Sequence, residues 1–390
     1  MQRRVNPLPW KEVSPMDEKV KFIAAVCDGS VSITSLCETF GISRKTGYKW
    51  LNRYRQEGPN GLLDRSKSPH TNPNRVSFAE ERFILALRKR HPTWGPKKLL
   101  VILEKDNPEI TWPSASTIGN ILQKRGLVKS RKKKREMIAR SFPFQGYDHP
   151  NAVWCADFKG DFKLKDGIRC YPLTISDGYS RFLLCCKGLS GTKTYDTKKE
   201  FERCFREYGL PNAIRTDNGV PLAAGLGMSL LSTWWIKLGI LPERIRPGKP
   251  QENGRHERMH RTLKAEAVYP IRSSMKQQQK SFDRFRAEYN FERPHEALGQ
   301  KTPSQLYKHS TRIFPNRIPE IRYPDHFEIR KVDDGCFYWK NQRYFITKSL
   351  AGERIGFEPV EDGLWRIYFS FVTIGYFDER IRKVTRTLKV

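Results

Sequence analysis

Near residue 148 the hydrophobic pattern changes its period. Upstream, apolar residues recur at helical spacing in short runs, such as Val20, Ile23, Ala24 and Cys27, then Leu36 and Phe40. Downstream they alternate, as in Val153-Trp-Cys-Ala-Asp-Phe-Lys-Gly-Asp-Phe-Lys-Leu164. A chain that switches period in this way is neither a single bundle nor a repeat array. At 390 residues it has room for about two to four domains. Helical units are expected first, an α/β domain second, and a strand-rich tail last.

The first helical unit spans 15–57. Gly29-Ser30 breaks its first helix, a second helix covers about 32–40, and Gly41-Ile-Ser43 leads into a third from Arg44 to about Gln56. A short helix, a Gly-containing turn, a Ser N-cap and a basic helix form the helix-turn-helix pattern. The third helix offers Arg44, Lys45, Thr46, Tyr48, Lys49 and Arg53 outward, placed to enter a major groove, while Trp50 and Leu51 can pack inward. A breaker-rich linker follows. Helices are then expected at 78–90, 95–105 and 114–125, the last capped by Ser114. That second unit also reads as helix-turn-helix, with Ser116, Thr117, Asn120, Lys124 and Arg125 available to DNA. After it comes Lys129-Ser-Arg-Lys-Lys-Lys-Arg135, in which Arg131, Lys132, Lys133 and Lys134 form an arm suited to tracking phosphates.

The net charge is +30, from 72 basic and 42 acidic residues, which points to a polyanionic partner, above all double-stranded DNA. The eight cysteines form no CxxC pair, and several lie in apolar strand-like runs. That usage fits buried free thiols in a reducing compartment. With no apolar stretch long enough to span a bilayer and no apolar signal-peptide core, a cytoplasmic, nucleoid-associated protein without membrane contact is expected.

Beyond 148, strands are expected at 153–164, 168–176 and 181–188, the first two joined by a turn at Asp166-Gly167. A helix at 194–208, a strand at 212–216, a helix at about 228–238, a short strand near 240–245 and a long helix from about 252 follow. Together they predict an α/β core with a mixed sheet. The aromatic runs of the tail, separated by Gly and Asp, predict a small β-barrel, with Trp339, Trp365 and Tyr376 in its interior.

Three carboxylates in this region sit in suggestive places. Asp157 lies in the first alternating run, Asp217 ends the strand Ala213-Ile-Arg-Thr216, and Glu257 opens a helix after the turn-rich Pro247–Asn253. Carboxylates from two strands and one helix can converge on hard cations. Two Mg²⁺ ions roughly 4 Å apart would serve phosphodiester chemistry, since Mg²⁺ takes oxygen ligands and keeps waters. Arg261 and Lys264 recur four and seven residues after Glu257, so one helix face carries an acid beside two cations. His256-Glu-Arg-Met-His260 also matches the H-E-x-x-H zinc pattern. The basic flanks, read as an exposed helix, argue against zinc and leave both histidines as neighbours of the site. Asn290 and His295 are read as satisfying turn backbone before Pro294 and after it.

In Trp154-Cys-Ala-Asp157, Thr216-Asp-Asn-Gly219, Pro250-Gln-Glu-Asn-Gly-Arg-His-Glu257, Arg261-Thr-Leu-Lys264 and Tyr289-Asn-Phe-Glu-Arg-Pro-His-Glu-Ala-Leu298, the chain resembles bacterial insertion-sequence transposases and integrases with a retroviral-integrase-type core. The resemblance is close over about 150–308. It implies an RNase H-like core and a catalytic, metal-binding Asp157, Asp217 and Glu257 using Mg²⁺ or Mn²⁺. It also implies 3′-end cleavage at terminal inverted repeats followed by strand transfer into target DNA, and a homo-oligomer acting on two element ends. Lys264 occupies the position of a family residue that contacts element-end DNA. The 39 residues between Asp217 and Glu257 exceed the usual spacing, with the extra length placed in Val220–Met228 as an active-site loop.

The expected plan is a helix-turn-helix DNA-binding domain at 1–57, a linker at 58–76, a second helix-turn-helix-like domain at 77–128 and a basic linker at 129–147. The integrase core follows at 148–275, a helical extension at 276–315 and the β-barrel at 316–390. Two other functions fit the same composition: a metal-dependent nuclease that does not join strands, and an inactive DNA-binding regulator.

Overall fold

The computed structural model describes residues 14–65, 75–128, 147–216, 228–244 and 254–386. Asp217, the basic arm with Arg131, Lys132, Lys133 and Lys134, the loop 220–227 and the turn segment 247–253 lie outside the described residues. The chain divides into two compact units, Met1–Arg75 and Val76–Val390.

In the first unit, α1 (Pro15–Asp28), α2 (Ile33–Thr39) and α3 (Arg44–Glu57) enclose Phe22, Ile23, Leu36, Cys37 and Leu51. Each helix starts on a serine whose hydroxyl accepts a backbone N–H three residues on, at Ser14, Ser32 and Ser43. Helix α3 crosses its neighbours at Gly47. A β-carbon there would stand 2.5 Å from the Cys37 sulfur and 3.0 Å from Phe22 Cζ. Glycine is therefore what lets the outward face of α3 be set by close helix packing.

The second unit begins with α4 (Phe78–Arg90), α5 (Pro96–Asp106) and α6 (Ala115–Lys124), packed around Ile84, Trp94, Leu99, Leu103, Ile118 and Leu122. Ser114 caps α6, as the sequence predicts. This helical module is bound to the chain beyond residue 260. His91, stacked on Trp94 at 3.8 Å, bonds Glu288 at 2.9 Å, Lys97 meets Glu296 at 2.9 Å, and Thr93 bonds Glu266. Lys97 and Glu296 are largely exposed and add little. The half-buried His91–Glu288 contact, shielded from water, holds more firmly.

The core sheet comprises β1 (Val153–Phe158), β2 (Phe162–Lys163), β3 (Arg169–Asp177), β4 (Leu183–Leu189), β5 (Ala213–Thr216) and β6 (Leu241–Arg244). Strand β3 runs antiparallel to β1, β2 and β4, whereas β5 lies parallel to β1 and β6 parallel to β5. This is the expected mixed sheet. Helices α7 (Thr194–Tyr208) and α8 (Leu230–Lys237) cover one face. Helices α9 (Gly254–Leu263) and α10 (Met275–Ala287) cover the other, through Met259, Leu263, Phe282 and Phe285. Each fully buried aromatic here, such as Phe201 or Phe205, contributes roughly 2 kcal/mol by burial. Alternation along β1 sends Trp154 and Ala156 to the α7–α8 side. Asp157, one residue on, faces α9.

A short helix, α11 (Pro303–Leu306), leads to the tail, where the expected barrel is not found. Strands β7 (Glu328–Lys331), β10 (Arg354–Glu361), β11 (Leu364–Phe369), β12 (Val372–Asp378) and β13 (Lys383–Thr385) form an antiparallel sheet in the order β13-β12-β11-β10-β7. Its two edge strands do not pair, so the sheet stays open among the described residues. A hairpin of β8 (Cys336–Trp339) and β9 (Gln342–Phe345) instead lays Phe337 and Trp339 on the apolar face beside Phe357 and Phe377. Trp339 is in the interior as expected, and its indole N–H donates to Glu379 at 2.7 Å. The same apolar cluster takes in Met228 and Ile236, which docks the tail on α8.

Gly47→Ala is expected to destabilise the first unit by about 1–3 kcal/mol through overpacking. Cys37→Ala in the same chain should recover part of that loss, because it removes the atom in the way. Urea unfolding of the two single variants and the double variant tests this, and purely additive losses would show that Cys37 is not what Gly47 accommodates.

Candidate metal and nucleic-acid site

The residue opposite Asp157 in the β1–β3 ladder is Thr174. Thr174 is fully buried, and its hydroxyl is the hub of the site. It donates to the Asp157 carbonyl at 3.1 Å, and His256 Nε2 and His260 Nε2 each lie 2.8 Å from it. A hydroxyl has one proton and two lone pairs. All three contacts are satisfied together only when both imidazoles carry their proton on Nε2 and donate it to Thr174.

The histidines are one helical turn apart on α9, with rings edge-to-face at 4.8 Å. Their exposures are 4% and 7%, so the helix face that carries them is buried, contrary to the exposed helix read from its basic flanks. Burial holds both rings neutral: His256 is pushed down to about 4. His260 is pushed down to about 2 by burial first, then by His256 and Lys159. His260 Nδ1 stands 3.9 Å from Asp157 Oδ2, beyond hydrogen-bond reach. Asp157, His256 and His260 each bring one ligand atom to within 4.8 Å of the others, a group able to hold a metal ion.

Glu257 does not belong to that group. It is exposed in the first turn of α9, as are Arg261 in its last turn and Lys264 in the π-helical turn Lys264–Val268 that follows. The expected face with one acid and two cations is therefore presented outward. Strand β5 ends at Thr216, paired with Ala156, so the described strands stop one residue short of Asp217 and of Asp157 in that ladder. Of the three acids, two are described, and they occupy different surroundings: Asp157 with 14% of its side chain exposed, Glu257 open to solvent.

Other polar residues have structural partners. Asn290 accepts from the Leu183 N–H at 2.8 Å and donates to the Leu183 carbonyl at 3.0 Å, completing the start of β4. His295 Nε2 lies 3.4 Å from the Tyr289 carbonyl. Asp161 pairs with Arg169. Asp177 accepts from Asn151 N–H at 2.7 Å and from both the N–H and hydroxyl of Ser180 at 2.8 and 2.5 Å. Thr174 was not legible as a functional residue, since one threonine in an apolar strand is ordinary; its place opposite Asp157 was the available signal.

On the helical modules, Arg44, Lys45, Tyr48 and Lys49 are exposed on α3, and Thr46 and Arg53 are half-buried. Arg53, Lys49 and Lys19 surround the Trp50 ring at 5.1, 5.3 and 4.1 Å, a cluster missed from the sequence. On α6, Ser116, Asn120 and Lys124 are exposed and Thr117 is half-buried. The Ser114 cap holds Ser116 and Thr117 by hydroxyl contacts of 3.0 and 3.1 Å.

Comparison with known proteins places these features. An integrase core domain matches residues 148–250 and again 238–303. A helix-turn-helix domain matches 18–70, and a homeodomain-like domain matches 46–122. The class is thus a DNA-binding protein with an integrase core. The insertion element IS407 uncharacterized 31.7 kDa protein of Burkholderia multivorans is 26% identical over 230 residues, covering 57% of this chain and 78% of that protein. The insertion element IS476 uncharacterized 39.2 kDa protein of Xanthomonas euvesicatoria is 25% identical over 253 residues, covering 63% and 70%. These similarities support an insertion-sequence transposase with an integrase-type core. Among solved structures, the magnesium-bound HTLV-2 integrase catalytic core domain aligns with 41% of this chain and 99% of its own at 16% identity, with a TM-score of 0.33. No helix among the described residues is long and apolar enough to cross a membrane.

Thr174→Val keeps the shape and removes the hydroxyl, leaving two buried imidazole N–H groups without an acceptor. A loss of about 2 kcal/mol is expected in urea unfolding, with Thr174→Ser close to wild type. Equal stability of the valine and serine variants would show that the imidazoles do not depend on this oxygen.

Proposed function

We propose that this transposase binds the terminal inverted repeats of its element, cleaves the 3′ ends and joins them to target DNA, with Asp157, Asp217 and Glu257 as its catalytic acids. The observation that carries this reading is the position of Asp157. It lies on β1, beside the strand that leads to Asp217 and facing the helix that bears Glu257, inside the segment matched by the integrase core. The donor set fits Mg²⁺ or Mn²⁺, since carboxylate oxygens suit hard cations. Held by these acids, such ions supply charge relief at the phosphate and activate the attacking oxygen.

The chain's own side chains supply the rest. Exposed Arg261 and Lys264 flank Glu257 and can neutralise backbone phosphates, keeping the scissile strand against the site. The outward residues of α3 and α6 read and grip the repeat. In the first step water attacks a phosphodiester at the element end, forming one P–O bond and releasing a 3′-hydroxyl. In the second, that hydroxyl attacks a target phosphodiester, so one P–O bond forms and one breaks. Two ends joined in concert call for a homo-oligomer.

A second donor set is favoured by the convergence of Asp157, His256 and His260. Imidazole donors suit Mn²⁺ or Zn²⁺ better than Mg²⁺. Since Nε2 of each ring lies 2.8 Å from Thr174, that set would have only Nδ1 to offer.

The test uses the full chain with Mg²⁺, labelled element-end DNA and a plasmid target. Joined products are expected from wild type, falling by about a hundredfold or more in Asp157→Asn, Asp217→Asn and Glu257→Gln. Cleavage without joined product would make the protein a nuclease. DNA binding without metal-dependent chemistry would make it a regulator.

A further inference from the structure

A cavity of about 230 Å³ opens where α5 meets the buried side of the core, and it is lined by Lys98, Arg181, Arg258 and Arg293. Its one lining carboxylate is Asp177, which is 1% exposed and already accepts the three hydrogen bonds from Asn151 and Ser180 described above. That acid is turned into the protein and spent. Arg293 has a carboxylate partner outside the lining, Glu266 at 2.5 Å, and its guanidinium lies over Trp94 at 5.8 Å. Of the charged side chains that line the cavity, four are thus cations and one is an acid already engaged.

The excess is felt by the groups around it. Burial, then Arg293, brings Lys98 down to about 8. His295, also in the lining, is pushed down to about 3 by burial, then by Lys98 and Arg293. Like charges crowded about a cavity, offset in part by Glu266 and Glu296 beside Lys98, are further stabilised by an anion entering it. Three of the cations can place donors around a tetrahedral oxyanion, and the guanidinium forks suit two of its oxygens at once.

We propose that this cavity is a phosphate-binding site that clamps one phosphate group between the second helical module and the catalytic helix. Lys98 comes from α5, immediately before α6, and Arg258 from α9, the residue after Glu257. A phosphate held by both would tie the strand gripped by α6 to the strand lying at α9. The DNA source of that phosphate rests on the function proposed above; a free phosphate or pyrophosphate shares the chemistry.

The experiment has two arms, each on the full chain with wild type, Lys98→Gln, Arg258→Gln and the charge-retaining Lys98→Arg. In the first, affinity for duplex DNA is measured from low to moderate salt. Each glutamine variant should reduce the slope of log K against log salt by about 0.9, the loss of one phosphate contact, while Lys98→Arg keeps the wild-type slope. In the second, thermal unfolding is followed with added pyrophosphate, which should raise the Tm of wild type and not that of Lys98→Gln. Unfolding without ligand shows whether each variant folds. Wild-type DNA binding with unchanged slopes and no pyrophosphate effect overturns the site and leaves the transposase reading intact. A pyrophosphate effect lost in Lys98→Gln, with DNA slopes unchanged, assigns the site to a free anion and overturns the clamp. Failure of wild type to bind DNA, with the pyrophosphate effect present, counts against the DNA reading and supports the anion site.

Discussion

One buried hydroxyl sets the geometry of the core. Thr174 ties its own strand to the Asp157 carbonyl on one side and receives both imidazoles of α9 on the other. A helix held at two points one turn apart cannot roll on the sheet. With His256 and His260 turned inward, Glu257 and Arg261 must turn outward, because 100° per residue separates neighbours on a helix. The hydrogen bonds do not supply much net stability beyond the burial of Met259 and Leu263 on the same face. Their effect is on rotation: apolar packing alone would tolerate small rolls, and three donors and acceptors around one oxygen would not.

That fixed rotation links the two sides of the molecule's second unit. The inward face of α9 closes on the sheet at Asp157, and the neighbouring face carries Arg258 toward the cavity shared with Lys98. The helical module at 76–128 is held in place by Glu266, Glu288 and Glu296, which lie in or just after the π-helical turns that interrupt the regular helices here. The module that would grip DNA and the helix that bears Glu257 are therefore parts of one packed body. On the opposite face, α8 is covered by the tail through Met228 and Ile236, so both ends of this unit converge on the core layers.

Much of this was readable from the residues. Period-two alternation in 153–158 places Asp157 away from Trp154, and the Ser N-caps locate α3 and α6. The limits have physical causes. Histidines four apart declare a shared face, but whether that face meets a metal, solvent or a hydroxyl depends on a residue 82 positions earlier. The glutamates at 266, 288 and 296 look in sequence like solvated helix acids, and only the fold brings Thr93, His91 and Lys97 to them. Alternating aromatics in the tail specify strands and not closure, which depends on whether β7 and β13 meet. The charge of Lys98 and Arg258 was legible; their shared cavity was not.

Because α9 presents its imidazoles to Thr174, the proposed metal ligands are carboxylate oxygens. Pulsed EPR of Mn²⁺ bound to the full chain with element-end DNA tests this most directly, because nitrogen coupling reports a ligating imidazole. The expected result is bound Mn²⁺ without histidine nitrogen coupling, and loss of binding in Asp157→Asn. A strong nitrogen coupling that disappears in His260→Gln would contradict it and place the ion on Asp157, His256 and His260 instead.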